Sequence, residues 1–145
     1  MKYSKGEIGR VFLVKFEDRD ILVDKIKELA EKEKINAGTM VFIGALREGK
    51  LVTGPKKPVI PPEPNWISFK DGWEVMGIGT IFTNKKEPQI HIHCSMGKKK
   101  KVLTGCVRKD SEVFLVIEAV IFELKGIKAS KEIDPSTGLN LLKIC

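Results

Sequence analysis

The chain has 145 residues, of which 42% are apolar, and 26 Lys and Arg against 19 Asp and Glu leave it a net charge of +7. That mixture excludes an intrinsically disordered chain, and no run approaches the roughly 18 apolar residues of a membrane-spanning helix. The length predicts one domain, residues 1–145, with one core.

Residues 9–16, GRVFLVKF, alternate and are rich in β-branched and aromatic side chains, which predicts a first strand. Glu17, Asp18 and Asp20 follow, and Asp18 or Asp20 is expected to cap the next helix. In that helix, running to about Lys34, Leu22, Ile26, Leu29 and Ala30 recur at helical spacing on one face, and Asn36, Ala37 and Gly38 close it. Residues 39–46 predict an apolar strand in which Gly44 marks a bend or a close backbone approach. Glu48 and Gly49 predict a turn into a short arm, residues 50–53. The prolines of residues 54–65 exclude helix and central strand, so this stretch is read as a long exposed loop.

Residues 66–69 predict a brief strand, and Asp71 with Gly72 a hairpin turn. A strand over 73–82 follows, with Gly77 and Gly79 thinning one face, then a turn over 83–88. Residues 113–124 form the most apolar strand, hydrophobic on both faces apart from Glu118, as expected of a central position. A turn at 134–138 leads to a last strand from Leu139. One helix and seven or eight strands make an α+β fold, built mostly on an antiparallel sheet with one main amphipathic helix.

The stretch with most chemistry is 89–107, QIHIHCSMGKKKKVLTGCV, which holds both histidines of the chain. Alternation puts Ile90, Ile92, Cys94 and Met96 on one face and His91, His93 and Ser95 on the other. A four-residue loop from Gly97 to Lys100 would set Cys106 opposite His91, so that His91, His93 and Cys106 converge on one side of a hairpin. Two histidines and a cysteine match the three-ligand pattern of open zinc sites. The plainer reading is that the histidine face is simply the wet face of the strand.

Glu118 has two readings as well: a base or neighbouring carboxylate for a metal site, or one half of an ion pair with a lysine or arginine. Lys98, Lys99, Lys100 and Lys101 form either a phosphate-binding tip or a solvated turn that discourages aggregation. A Cys106 nucleophile with His91 as base lacks an orienting third residue. An odd cysteine count, with no apolar signal segment in MKYSKGEIGR, predicts a cytoplasmic protein with reduced thiols; Cys145 is expected to be an incidental exposed thiol. The positive charge permits anionic partners, DNA among them, but a lysine- and glutamate-rich surface of a thermophile accounts for it more simply.

In their order and spacing GRVFLVKF, INAGTMVFIGALREGKL, WEVMGIGTI, HIHCS, VLTGC, EVFLVIEAVIFEL and DPSTGLNLL cover nearly the whole chain. Together they resemble the PPC (plants and prokaryotes conserved) domain family, the domain that accompanies AT-hooks in plant nuclear proteins and stands alone in prokaryotes. The resemblance implies an antiparallel sheet with a flanking helix, a homotrimer with the hairpin near subunit contacts, and a zinc ion bound by three histidines. His91, His93 and Ser95 match the first part of that pattern; Thr104, Gly105 and Cys106 stand where Gly-Gly-His is expected, so a thiolate would replace the third imidazole. The Arg-Gly-Arg-Pro centre of an AT-hook does not occur in the chain. The resemblance therefore implies a homotrimeric binding module that holds zinc, with Ser95, Thr104 and Glu118 as neighbours of the site. The alternatives are a DNA-binding protein using its basic surface, a contact for a regulatory protein, and a zinc enzyme with Glu118 as base.

Overall fold

A computed structural model describes residues 1–144; Cys145 lies outside the described residues. The elements are β1 (Glu7–Glu17), α1 (Leu22–Glu33), β2 (Ala37–Pro55), β3 (Pro64–Phe69), β4 (Trp73–Asn84), β5 (Glu87–Lys98), β6 (Lys101–Val107), β7 (Glu112–Lys125), β8 (Ala129–Ile133) and β9 (Asn140–Ile144). All strand pairs are antiparallel: seven strands share one sheet, in the order β1-β7-β2-β4-β5-β6 with β3 beside β2, and β8 pairs with β9. The α+β expectation, mostly antiparallel with a single helix, therefore holds.

The 19-residue β2 organises the sheet and corrects two expected turns. No turn forms at Glu48 and Gly49; the strand runs through. Gly49 is required there by close packing, because a Cβ on it would lie 2.7 Å from Ser111 Oγ and 2.8 Å from Ser111 Cα. Nor do Asp71 and Gly72 reverse the chain. Leu46 pairs with Trp73 and Gly49 with Phe69, so β3 and β4 follow one another along the same edge of β2. The positive φ values of Asp71 (69°) and Gly72 (73°) make a corner between two collinear strands. The reversal happens instead in the proline-rich stretch after Pro55, closed by a Lys56–Glu63 ion pair.

The other edge of β2 repeats the arrangement. Leu51 pairs with Val107 of β6, and Glu48 with Glu112 of β7. Because β5 bonds to both β4 and β6, the circuit β2–β4–β5–β6 closes back on β2.

The helix packs on the inner face of this curved sheet. Leu22, Ile26 and Ala30 are buried in one cluster with Met40, Ile81, Ile92, Ile117 and Ile121. Full burial of each large aliphatic side chain contributes about 1.5–3 kcal/mol. The expected aspartate cap is absent. Ile21 is the N-cap, without a side-chain hydrogen bond, and the Leu22 N–H donates to Ser111 O at 3.0 Å. A strand carbonyl thus satisfies an orphan donor of the first turn. Asp20 instead accepts from Glu17 N (2.9 Å), and Asp18 from Leu115 N (2.7 Å) and Arg47 (2.6 Å). The helix closes earlier than expected, on Lys34 in the left-handed region.

Gly77 faces Phe42 in the core, and a Cβ there would lie 2.2 Å from the buried ring. Gly77→Ala is expected to cost about 1–3 kcal/mol through overpacking, read as a lower urea midpoint. Adding Phe42→Leu should recover part of the loss; no recovery would show that the ring is not the obstacle. The Leu115 N–H, aided by Arg47, holds the Asp18 carboxyl below its usual range. A lowered folded value means that this stabilisation is complete above the unfolded pKa of about 3.9 and is lost as pH falls through the folded value. The stability gap between wild type and Asp18→Asn should accordingly close in acid, checked by urea titrations across that range.

Candidate metal centre

Alternation along β5 separates two chemistries. Ile92, Cys94 and Met96 are buried in the core, while His91 and His93 emerge on the outer face. The hairpin register differs from the expected one. Lys98 pairs with Lys101 across a two-residue turn, with Lys99 in the left-handed region (φ 55°), so Cys106 lies opposite His93 rather than His91. A slip by two residues, unlike a slip by one, keeps every side chain on its face. The convergence therefore survives the correction.

The ligand atoms of His91, His93 and Cys106 all lie within 4.8 Å of one another. The two imidazoles meet edge to face, with ring centroids 4.9 Å apart and the Nε2 atoms separated by 3.2 Å. A tetrahedral ion with Zn–N bonds of about 2.05 Å would hold two ligand nitrogens about 3.3 Å apart. Two imidazoles and a thiol therefore fit zinc in donor type and spacing, and with three protein ligands the fourth position would stay open.

Protonation states are tuned in the same direction. Burial of part of the ring, then the charges of Lys131, His93 and Arg108, push the His91 pKa down, so that it is a neutral ligand near pH 7. Burial raises the Cys106 thiol, opposed by Arg108 and Lys131. Cys94 on the core side is different: burial, with a further push from Cys106, raises its thiol to about 12 and makes it inert.

The other expected site residues divide. Ser95 and Thr104 face one another next to the cluster, Thr104 Oγ1 donating to Ser95 Oγ at 3.1 Å. Glu118 lies in the same row of the sheet but three strands away, the row running Glu118, Ile43, Met76, Ser95. At about 4.8 Å per strand that is roughly 14 Å of sheet, too far for a base acting at the cluster. Glu118 is exposed and forms no ion pair among the described residues. The lysine tip is partly tied down: Lys98 Nζ donates to Asp71 O and, at 3.4 Å, to Lys70 O. Lys99, Lys100 and Lys101 are exposed.

Two features of the site went unforeseen. Val41, Ile43, Met76 and Ile78 are 47%, 59%, 64% and 58% exposed on the outer face, lining an open groove of about 680 Å³ that reaches His93. The apolar run of β2 was the available signal, since a strand hydrophobic on both faces needs two covers. Lys131 of β8 is buried beside the cluster, and nothing in the local sequence of β8 marks it.

The family model of the Plants and Prokaryotes Conserved domain, abbreviated PCC or PPC, matches residues 3–125. The chain belongs to this family. Its PPC domain is similar to a plant- and prokaryote-conserved protein of Pyrococcus horikoshii (27% identity, TM-score 0.86), with 100% of this chain and 99% of that one covered. It is equally similar to the metal-containing protein of Archaeoglobus fulgidus (26% identity, TM-score 0.86, 99% of both chains). A provisionally named DNA-binding protein of Ralstonia eutropha JMP134 shares the fold at 17% identity and a TM-score of 0.74, over 92% of this chain and 90% of that one. No curated protein matches the chain. Among the described residues, no helix of this PPC domain is long and apolar enough to cross a membrane.

Because a thiol with a raised pKa must lose its proton to bind metal, zinc affinity should strengthen as pH rises through neutrality. Competition with a chromophoric chelator measures this, and Cys106→Ala should flatten the dependence and weaken binding at least tenfold.

Proposed function

We propose that this PPC domain is a single-domain homotrimeric binding module that holds a zinc ion through His91, His93 and Cys106. The carrying observation is the approach of three ligand atoms from two strands to within 4.8 Å. Similarity over 99% of the chain to the metal-containing Archaeoglobus protein supports the reading. Zinc bound there would polarise whatever ligand occupies its fourth position. Ser95 and Thr104 offer hydroxyls beside that position, and the apolar groove limits water on one side.

Self-association is supported by the outer sheet face. Leu13, 83% exposed, extends the row of Val41 and Ile78 toward β1, so one continuous apolar surface crosses five strands. A contiguous exposed patch of this kind marks an interface. Subunits meeting there would lie beside the metal cluster, and family resemblance supports three as their number. Elemental analysis combined with mass in solution tests both parts. About one zinc per chain in a trimer is expected, and Ile43→Glu with Met76→Glu should yield folded monomers. A wild-type monomer, or a metal-free protein after zinc incubation, contradicts the reading.

DNA binding is the second reading, favoured by the exposed Lys99, Lys100 and Lys101 and by the name given to the Ralstonia relative. Binding of this type is carried by phosphate contacts, so gel-shift affinity should fall steeply with salt and drop when the tip lysines are neutralised. No binding at low salt removes it.

A further inference from the structure

Lys131 is 8% exposed and has neither an ion-pair nor a hydrogen-bond partner among the described residues. It arrives on the β8–β9 hairpin, beyond residues 3–125 of the family match. That hairpin is anchored over the sheet by Asn140 Nδ2 donating to Gln89 Oε1 at 3.0 Å, two residues before His91 on β5. Its turn is locked by Asp134, whose carboxylate accepts from Ser136 N and Thr137 N at 3.1 and 2.8 Å. The ammonium so placed acts on both His91 and Cys106, and burial opposes its charge.

A buried, unpaired ammonium is costly and calls for a counter-charge. The groups that act on His91, Cys106 and Lys131 are each other, His93 and Arg108, and no carboxylate is among them. Glu132 and Glu87 share a cavity with Lys131, but Glu132 is engaged by Lys143 at 2.8 Å, and neither shifts Lys131. Cys106 as thiolate would balance Lys131 in the metal-free protein. Once zinc takes that thiolate, a dication, one thiolate and two neutral imidazoles leave the centre singly positive, and Lys131 and Arg108 each add a further charge. The site then carries a positive excess with one open coordination position.

We propose that the open position is built for an anion, a small carboxylate or inorganic oxyanion, shared between the metal and the Lys131 ammonium. The inference rests on the zinc reading above and specifies what that centre binds. The exposed edges of His91 and His93 leave a small ligand a path to it. Lys131 is in this account a binding residue for the anion, and it opposes binding of the metal cation.

The test uses full-length protein loaded with cobalt(II), whose thiolate charge-transfer band reports Cys106 and whose visible bands report the fourth ligand. Acetate and sulfate are titrated separately, to distinguish carboxylate from oxyanion. Saturable spectral change is expected with at least one, and Lys131→Met should weaken it at least tenfold while cobalt affinity is kept or strengthened. Lys131→Arg should retain most of the anion affinity, and Lys131→Gln serves if the methionine variant does not fold. Equal anion affinity in wild type and the Lys131→Met variant, or no anion response, overturns the inference while leaving the metal site standing. Absence of the charge-transfer band overturns the metal site and the inference with it.

Discussion

β2 is paired along both edges and exchanges both partners halfway along its length, from β4 and β7 to β3 and β6. Backbone hydrogen bonds must be satisfied on each side of a buried strand, so this exchange forces two long flanking strands to break at matching places. The breaks fall after Phe69 and after Val107, and their irregular links let the sheet curl. Curling brings β6 beside β2 while it still pairs with β5. The strand that carries Cys106 is thereby held from both sides and set against the strand that carries the histidines. Metal geometry here is a consequence of sheet closure, and it rests on backbone pairing more than on any side-chain contact.

Local rules are broken where function is concentrated, as a folded chain tolerates only when something compensates. Two imidazoles stand with their nitrogens 3.2 Å apart, a thiol is buried under them, and a lysine without a partner lies alongside. None of these favours the isolated chain. A bound dication would turn the close nitrogens into ligands and the thiol into a thiolate. The apolar outer face is the same kind of unfinished surface on a larger scale, since Val41, Ile43, Met76 and Ile78 occupy central strands yet face solvent in the isolated subunit.

Period-two patterns made much of this legible in the sequence. Alternation located β1, β4, β5 and β7, and it placed His91, His93 and Cys106 on one face whatever the register. Register itself was not legible, because it depends on whether Lys99 adopts a left-handed turn, a choice lysine does not advertise. Asp71 and Gly72 have the chemistry of a hairpin turn and the expected positive φ, but tertiary pairing to β2 uses them as a corner. Asp18 and Asp20 similarly carry capping chemistry and were recruited elsewhere, since Ser111 already supplies the helix start. Burial of Lys131 arises when a separate hairpin folds over the sheet, and no local periodicity encodes that event.

The central claim is that the closed sheet makes one metal ligand set from two strands. X-ray absorption at the zinc edge of the zinc-loaded protein tests it most directly. The account predicts one sulfur at about 2.3 Å and two imidazole nitrogens at about 2.0–2.1 Å, with a light atom completing the shell. A shell without sulfur, or with fewer than two imidazoles, would contradict it.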